Sequence, residues 1–76
     1  MTIEILGTGC AKCAMLYEVV QNALKKAGID AHIEKIEDPV TILGYGVMTT
    51  PALVINKTVV LSGRIPSCDE VIAFLG

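Results

Sequence analysis

Cys10 and Cys13 are the residues best suited to chemistry in this chain, within Gly7-Thr8-Gly9-Cys10-Ala11-Lys12-Cys13. They follow a short apolar run, Ile3 to Leu6, and precede a long amphipathic run, Leu16 to Ala27. Two glycines allow a sharp turn between the two runs without a Cβ penalty. The cysteines then fall where a helix should start. A helix N-terminus exposes unpaired N–H groups and carries about half a positive charge. That field favours a thiolate at Cys10 and predicts a pKa below the ordinary thiol range. Lys12 and Gly9 are the candidates for tuning it, Lys12 by its charge and Gly9 through the turn. A solvated surface lysine is the alternative reading of Lys12. Cys13 lies three residues on, nearly above Cys10 on one helix face. A Cys-x-x-Cys at a strand-to-helix junction suits a reversible disulfide.

The elements that must position these thiols are legible in the pattern. Thr2 to Leu6 reads as a strand. Glu4 is its one charge, expected at a solvated position; the alternative is a carboxylate beneath the cysteines that relays protons. Leu16, Val19, Val20, Ala23, Leu24 and Ala27 recur at the helical period, and Gly28 suits the left-handed cap. Cys13 shares the face of Leu16, Val20 and Leu24, so it should point inward, with Cys10 exposed at the tip.

Ala31 to Glu37 reads as an edge strand with one wet face. His32, the lone histidine, fits a surface strand position. Asp38-Pro39 signals a short helix that Gly44 and Gly46 terminate. Pro51 opens a buried strand, Ala52 to Ile55. Asn56-Lys57 then turns the chain into Thr58 to Leu61, a hairpin signature that suits Asn56 better than Lys57. Gly63 marks a bulge or strand end. Ser67 and Glu70 form a capping box before a last helix, with Val71, Ile72, Phe74 and Leu75 as its apolar face. Cys68 fits that face as a small buried hydrophobe. The predicted order is βαβαββα: an α/β chain with a four-stranded mixed sheet flanked by helices.

Composition narrows the function. The chain has 76 residues, which predicts one domain over 1–76. A hydrophobic content of 53% and a charged content of 18% predict a packed core. A net charge of −2 with scattered lysines argues against a nucleic-acid surface. No apolar run approaches the roughly 20 residues of a membrane span, and no signal peptide is visible. The expectation is a cytoplasmic protein, a monomer, with no membrane partner and no cofactor. Three cysteines are too few for a disulfide scaffold.

Cys-x-x-Cys after the first strand and Thr50-Pro51 before the third together resemble the thioredoxin superfamily. More narrowly, the chain resembles the small glutaredoxin-like "redox-active disulfide" proteins of archaea and bacteria. The matching stretches are Gly7 to Cys13, Tyr45 to Ile55 and Leu61 to Arg64. The resemblance implies a thioredoxin-like fold and a cis bond before Pro51, which would face the Cys10–Cys13 disulfide. It also implies that the Thr50 backbone receives a substrate strand. No tryptophan precedes Cys10, and no proline or tyrosine separates the cysteines, unlike the better-known relatives.

The implied function is that of a thiol-disulfide oxidoreductase or electron carrier. Its partners would be a protein or small-molecule disulfide and an unidentified reductase, either thioredoxin reductase, glutathione or another. Three alternatives stand beside it. A structural disulfide closing so short a loop would contribute only roughly 2 kcal/mol, in a reducing compartment. A binding module with an idle disulfide site is the second. The third is a soft-metal carrier holding Cu(I) through the same Cys-x-x-Cys, although no resident metal is expected. Heavy-metal-associated domains share that motif position, but their order is βαββαβ.

Overall fold

The computed structural model describes residues 1–7 and 11–75. Seven elements follow one another: β1 (Thr2–Leu6), α1 (Ala11–Ala27), β2 (His32–Ile36), α2 (Pro39–Gly44), β3 (Ala52–Ile55), β4 (Thr58–Ser62) and α3 (Cys68–Leu75). The order is the expected βαβαββα, and it ends on a helix. The copper alternative rested on an order that ends on a strand. No described helix is long and apolar enough to cross a membrane.

The four strands form one mixed sheet in the order β2-β1-β3-β4. β1 pairs parallel with β2 and antiparallel with β3, and β3 pairs antiparallel with β4. Every residue of β3 is buried, which explains its unbroken apolar run. β1 divides its side chains between two cores. Ile3 and Ile5 join Leu16, Val20, Leu53 and Val71 on the α1/α3 side. Leu6 joins Ile42, Val47, Ala52 and Val54 on the α2 side.

Local signals explain most element ends. Ile29 donates to the Leu24 carbonyl at 3.0 Å and Gly28 to that of Lys25 at 3.3 Å. With Gly28 at φ +67°, this is a Schellman cap. Asp38 caps α2 by accepting from the Val40 N–H, with Pro39 in the first helical position. Ser67 and Glu70 cap α3 reciprocally: Glu70 N donates to Ser67 Oγ and Ser67 N to Glu70 Oε1. Arg64 grips the same Glu70 at 2.7 and 3.1 Å. These bonds, the Arg64 pair first and the Ser67 N–H second, hold the Glu70 carboxyl below its ordinary pKa.

Three expectations need correction, and the Gly63 alternatives are resolved. Edge strand β2 does not have a single wet face: Ile33 packs on the α1/α3 core and Ile36 on the α2 core. Their spacing of three puts them on opposite sides of a strand. Gly63, read as a bulge or a strand end, is a strand end; a bulge lies where Leu53 faces Leu61 and Val54 faces Val59, leaving Val60 as the extra residue. Gly63, at φ +79°, lies just past the end of β4. Phe74 is exposed, because the inward stripe of α3 runs through Cys68, Val71, Ile72 and Leu75. Glu4, expected in water, is buried. His32 is exposed, as expected, and sits 3.0 Å from Glu34.

Candidate functional site

Cys13 occupies the first turn of α1 and is buried at 6% exposure. It heads the stripe of Leu16, Val20 and Leu24, all buried. The inward face read from the helical period is therefore the face observed. Cys10 and Gly9 lie outside the described residues. Lys12 is exposed on the outer side of α1.

Gly7 brings the parts of the site together. It extends the sheet past β1 by donating to the Ile36 carbonyl at 3.0 Å, and it is buried. A Cβ placed on Gly7 would collide with Cys13 Sγ. It would also lie 3.6 Å from Cys13 Cβ and 3.8 Å from Thr50 Cβ. The missing side chain is thus the space that the Cys13 sulfur occupies. Thr50 approaches the same point from α2's side of the chain. Reading the sequence assigned Gly7 only a turn.

Thr50 is exposed and Pro51 is buried beside it, and the bond between them is cis. The Pro51 carbonyl accepts from Gly63 N–H at 2.9 Å. Gly63 leaves room for Thr49, whose Oγ1 would stand 2.9 Å from a Cβ there. Met48, Thr49 and Thr50 are exposed between buried Val47 and Pro51. Met48 is 90% exposed.

A second cluster lies on the α2 side of β1. Glu4, 4% exposed, accepts a 2.6 Å hydrogen bond from Tyr45 Oη. Lys57 Nζ is 3.5 Å from the same carboxylate oxygen. A buried carboxylate persists only when paired in this way. The bond to Glu4, then desolvation and the negative charge, push the Tyr45 hydroxyl above its ordinary pKa. The Glu4 charge also raises the Lys57 ammonium. Asn56 and Lys57 take φ +49° and +69°, the geometry of a tight hairpin turn. For a lysine this conformation costs on the order of 1 kcal/mol. Its ion pair with Glu4 gives the turn a reason to keep Lys57.

Cys68 begins α3 and packs against the α1/α3 core. Its neighbour Asp69 pairs with Lys26 at 3.3 Å, in the last turn of α1. Cys13 and Lys26 lie about 20 Å apart along that helix. Cys68 is therefore at the far end of α1 from Cys13. Cys68→Ala should leave disulfide reduction within about twofold and cost about 1 kcal/mol through the void it opens. Parallel activity assays and thermal melts check this; a tenfold activity loss would make Cys68 a redox partner.

Among the described residues, no group of three or more His, Cys, Asp or Glu is placed to hold a metal ion.

The mixed sheet, the thiol at the head of α1 and the cis-proline loop against Gly7 define a recognisable class. The thioredoxin domain family matches residues 1–76, and the chain belongs to that family. It is 41% identical over 71 residues to a thioredoxin of Methanothermobacter thermautotrophicus, covering 93% of this chain and 92% of that one. A thioredoxin of Methanocaldococcus jannaschii is also 41% identical over 71 residues, covering 93% and 81%. Thioredoxin 1 from the thermophilic eubacterium Thermosipho africanus superposes with a TM-score of 0.65 at 26% identity, covering 99% of this chain and 90% of that one.

Proposed function

We propose that the chain is a thiol-disulfide oxidoreductase that cycles a Cys10–Cys13 disulfide. The observation that carries the reading is the convergence of Cys13 Sγ and Thr50 on Gly7. It sets a buried thiol beside the loop that would receive a substrate. The family and its thioredoxin relatives support the same chemistry.

In the forward direction, the Cys10 thiolate attacks one sulfur of a substrate disulfide. The other sulfur leaves as a thiolate and takes a proton from water. Cys13, deprotonated, then attacks Cys10 and releases the second substrate thiol. The substrate gains two electrons, and Cys10 and Cys13 are left oxidised as a disulfide. A separate reductase returns two electrons to that disulfide. Thr50 would offer its backbone to the extended segment around the substrate cysteine, with Pro51 holding that backbone in place. Lys12 and Gly9 would tune the attacking thiol. In this reading the protein would act in the cytoplasm, as a single chain.

The test is a titration of the Cys10–Cys13 pair against glutathione redox buffers. A reduction potential near about −270 mV identifies a reductant, and one near about −120 mV an oxidant. A pair that never forms a disulfide across that range overturns the proposal. Retention of one Cu(I) per chain through purification would replace it with metal transfer.

A further inference from the structure

The exposed segment that carries Thr50 lies between α2 and β3, outside the sheet. Residues 46–50 therefore need other restraints. At one end the Pro51 carbonyl is fastened to Gly63. At the other stands Tyr45, the C-cap of α2, whose N–H donates to Ile42 O at 3.1 Å. The ring of Tyr45 packs into the α2-side core. Its hydroxyl continues to a buried carboxylate on β1, 41 positions away in sequence. β1 is the strand that leads through Gly7 into the cysteine motif.

We infer that Tyr45 and Glu4 are positioning residues: their hydrogen bond ties the loop bearing Thr50 to the strand that leads into the cysteine motif. This rests on the disulfide-exchange reading and deepens it. Three features support the assignment. The bond is short, and its acceptor is charged, which makes it stronger than a neutral pair. Its acceptor sits in the middle of a central strand, paired on both sides with Glu34 and Val54, so it cannot drift. Lys57, whose side chain is 76% exposed, stands 3.5 Å from the same carboxylate oxygen and balances its charge. Pairing of β1 with β3 begins only at Ala52. Without the Tyr45 bond, the segment before Pro51 is held by packing of Val47, by the end of α2 and by the contacts of Thr49 and Pro51 with Gly63.

A protein substrate needs its own backbone to meet that of Thr50. A small disulfide needs only the thiol. The two substrates should therefore respond differently to loss of the tie.

The experiment compares Tyr45→Phe and Glu4→Gln with the native protein. Tyr45→Phe keeps the ring and loses the bond. Glu4→Gln loses the charge and keeps an oxygen that can accept from Tyr45. With insulin as the protein disulfide, Tyr45→Phe should raise KM about three- to tenfold and leave kcat unchanged. With hydroxyethyl disulfide, its rate should match the native protein. Amide hydrogen exchange at Gly46 and Gly63, whose N–H groups are hydrogen-bonded at the two ends of the loop, should speed up about tenfold in Tyr45→Phe and stay near native in Glu4→Gln. Thermal melts recorded beside these separate the tie from general loss of stability, which would not split the two substrates.

Unchanged exchange at Gly46 and Gly63 in Tyr45→Phe overturns the inference. So does an equal loss of kcat on both substrates in Glu4→Gln, which would put the carboxylate in the chemistry itself. If the native protein reduces neither disulfide, the redox reading falls. The exchange rates then still decide whether the bond holds the loop.

Discussion

Cys10→Ser should abolish exchange with an external disulfide, whereas Cys13→Ser should still attack and then stall as a mixed disulfide. The reasoning starts from access. Cys13 is 6% exposed and heads a stripe of core side chains. A disulfide arriving from solvent cannot align with a sulfur so enclosed. A sulfur held beside it, as Cys10 in a mixed disulfide is expected to be, would be within reach. The sequence places Cys10 three residues earlier, before the helix, and predicts a position where solvent and the helix N–H groups would both reach a thiolate. The exposed thiolate attacks first, and the buried thiol resolves. Incubating each variant with a small disulfide and weighing the product distinguishes the roles. Cys13→Ser should gain the mass of half the reagent and hold it. A stable adduct on Cys10→Ser, with none on Cys13→Ser, would reverse the assignment.

Gly7→Ala should damage both stability and resolution. The added methyl would meet Cys13 Sγ head-on, with Cys13 Cβ and Thr50 Cβ close behind at 3.6 and 3.8 Å. A surface sulfur could rotate aside cheaply. This one is packed into the core, so its alternative rotamers are restricted. Overpacking of this kind costs about 1–3 kcal/mol. For a domain of this size that lowers the melting temperature by roughly 4–24 °C. The displaced sulfur should also close on Cys10 more slowly, since a misplacement of about 1 Å can cost about a hundredfold in rate. Melting curves and the lifetime of the mixed disulfide measure the two effects separately. A variant that melts and resolves like the native protein would mean that Cys13 turns away without strain.

The elements were legible wherever the deciding contacts are local. Ser67 with Glu70, Asp38 with Pro39, and Gly28 after Lys25-Lys26-Ala27 each act within a few residues of the end they define. Cys13's inward face followed from the helical period alone. What stayed hidden depends on contacts between distant segments. Glu4 reads as exposed because lone carboxylates usually are. Its partners, Tyr45 and Lys57, come from the end of α2 and from a hairpin turn. Gly7 reads as a turn residue because its neighbours in space, Cys13 and Thr50, are brought to it by α1 and by the proline loop. Val60 looks like any strand valine until β3 and β4 are aligned. Phe74 was misplaced for a simpler reason: its apolar side chain outweighed its position off the 68/71/72/75 stripe.

The irregularity at Val60 also bears on how copies of the chain meet. β4 is one margin of the sheet, and its outer row of amides and carbonyls could template another strand. The extra residue breaks the even spacing of that row after two paired positions on either side. A straight strand from a second molecule would find its partners out of step at mid-length. The opposite margin, β2, sets Glu34 and Lys35 side by side, both exposed. An incoming apolar strand would have to strip water from both charges. A sheet this small thus carries a guard against fibre-like stacking on each of its two open sides.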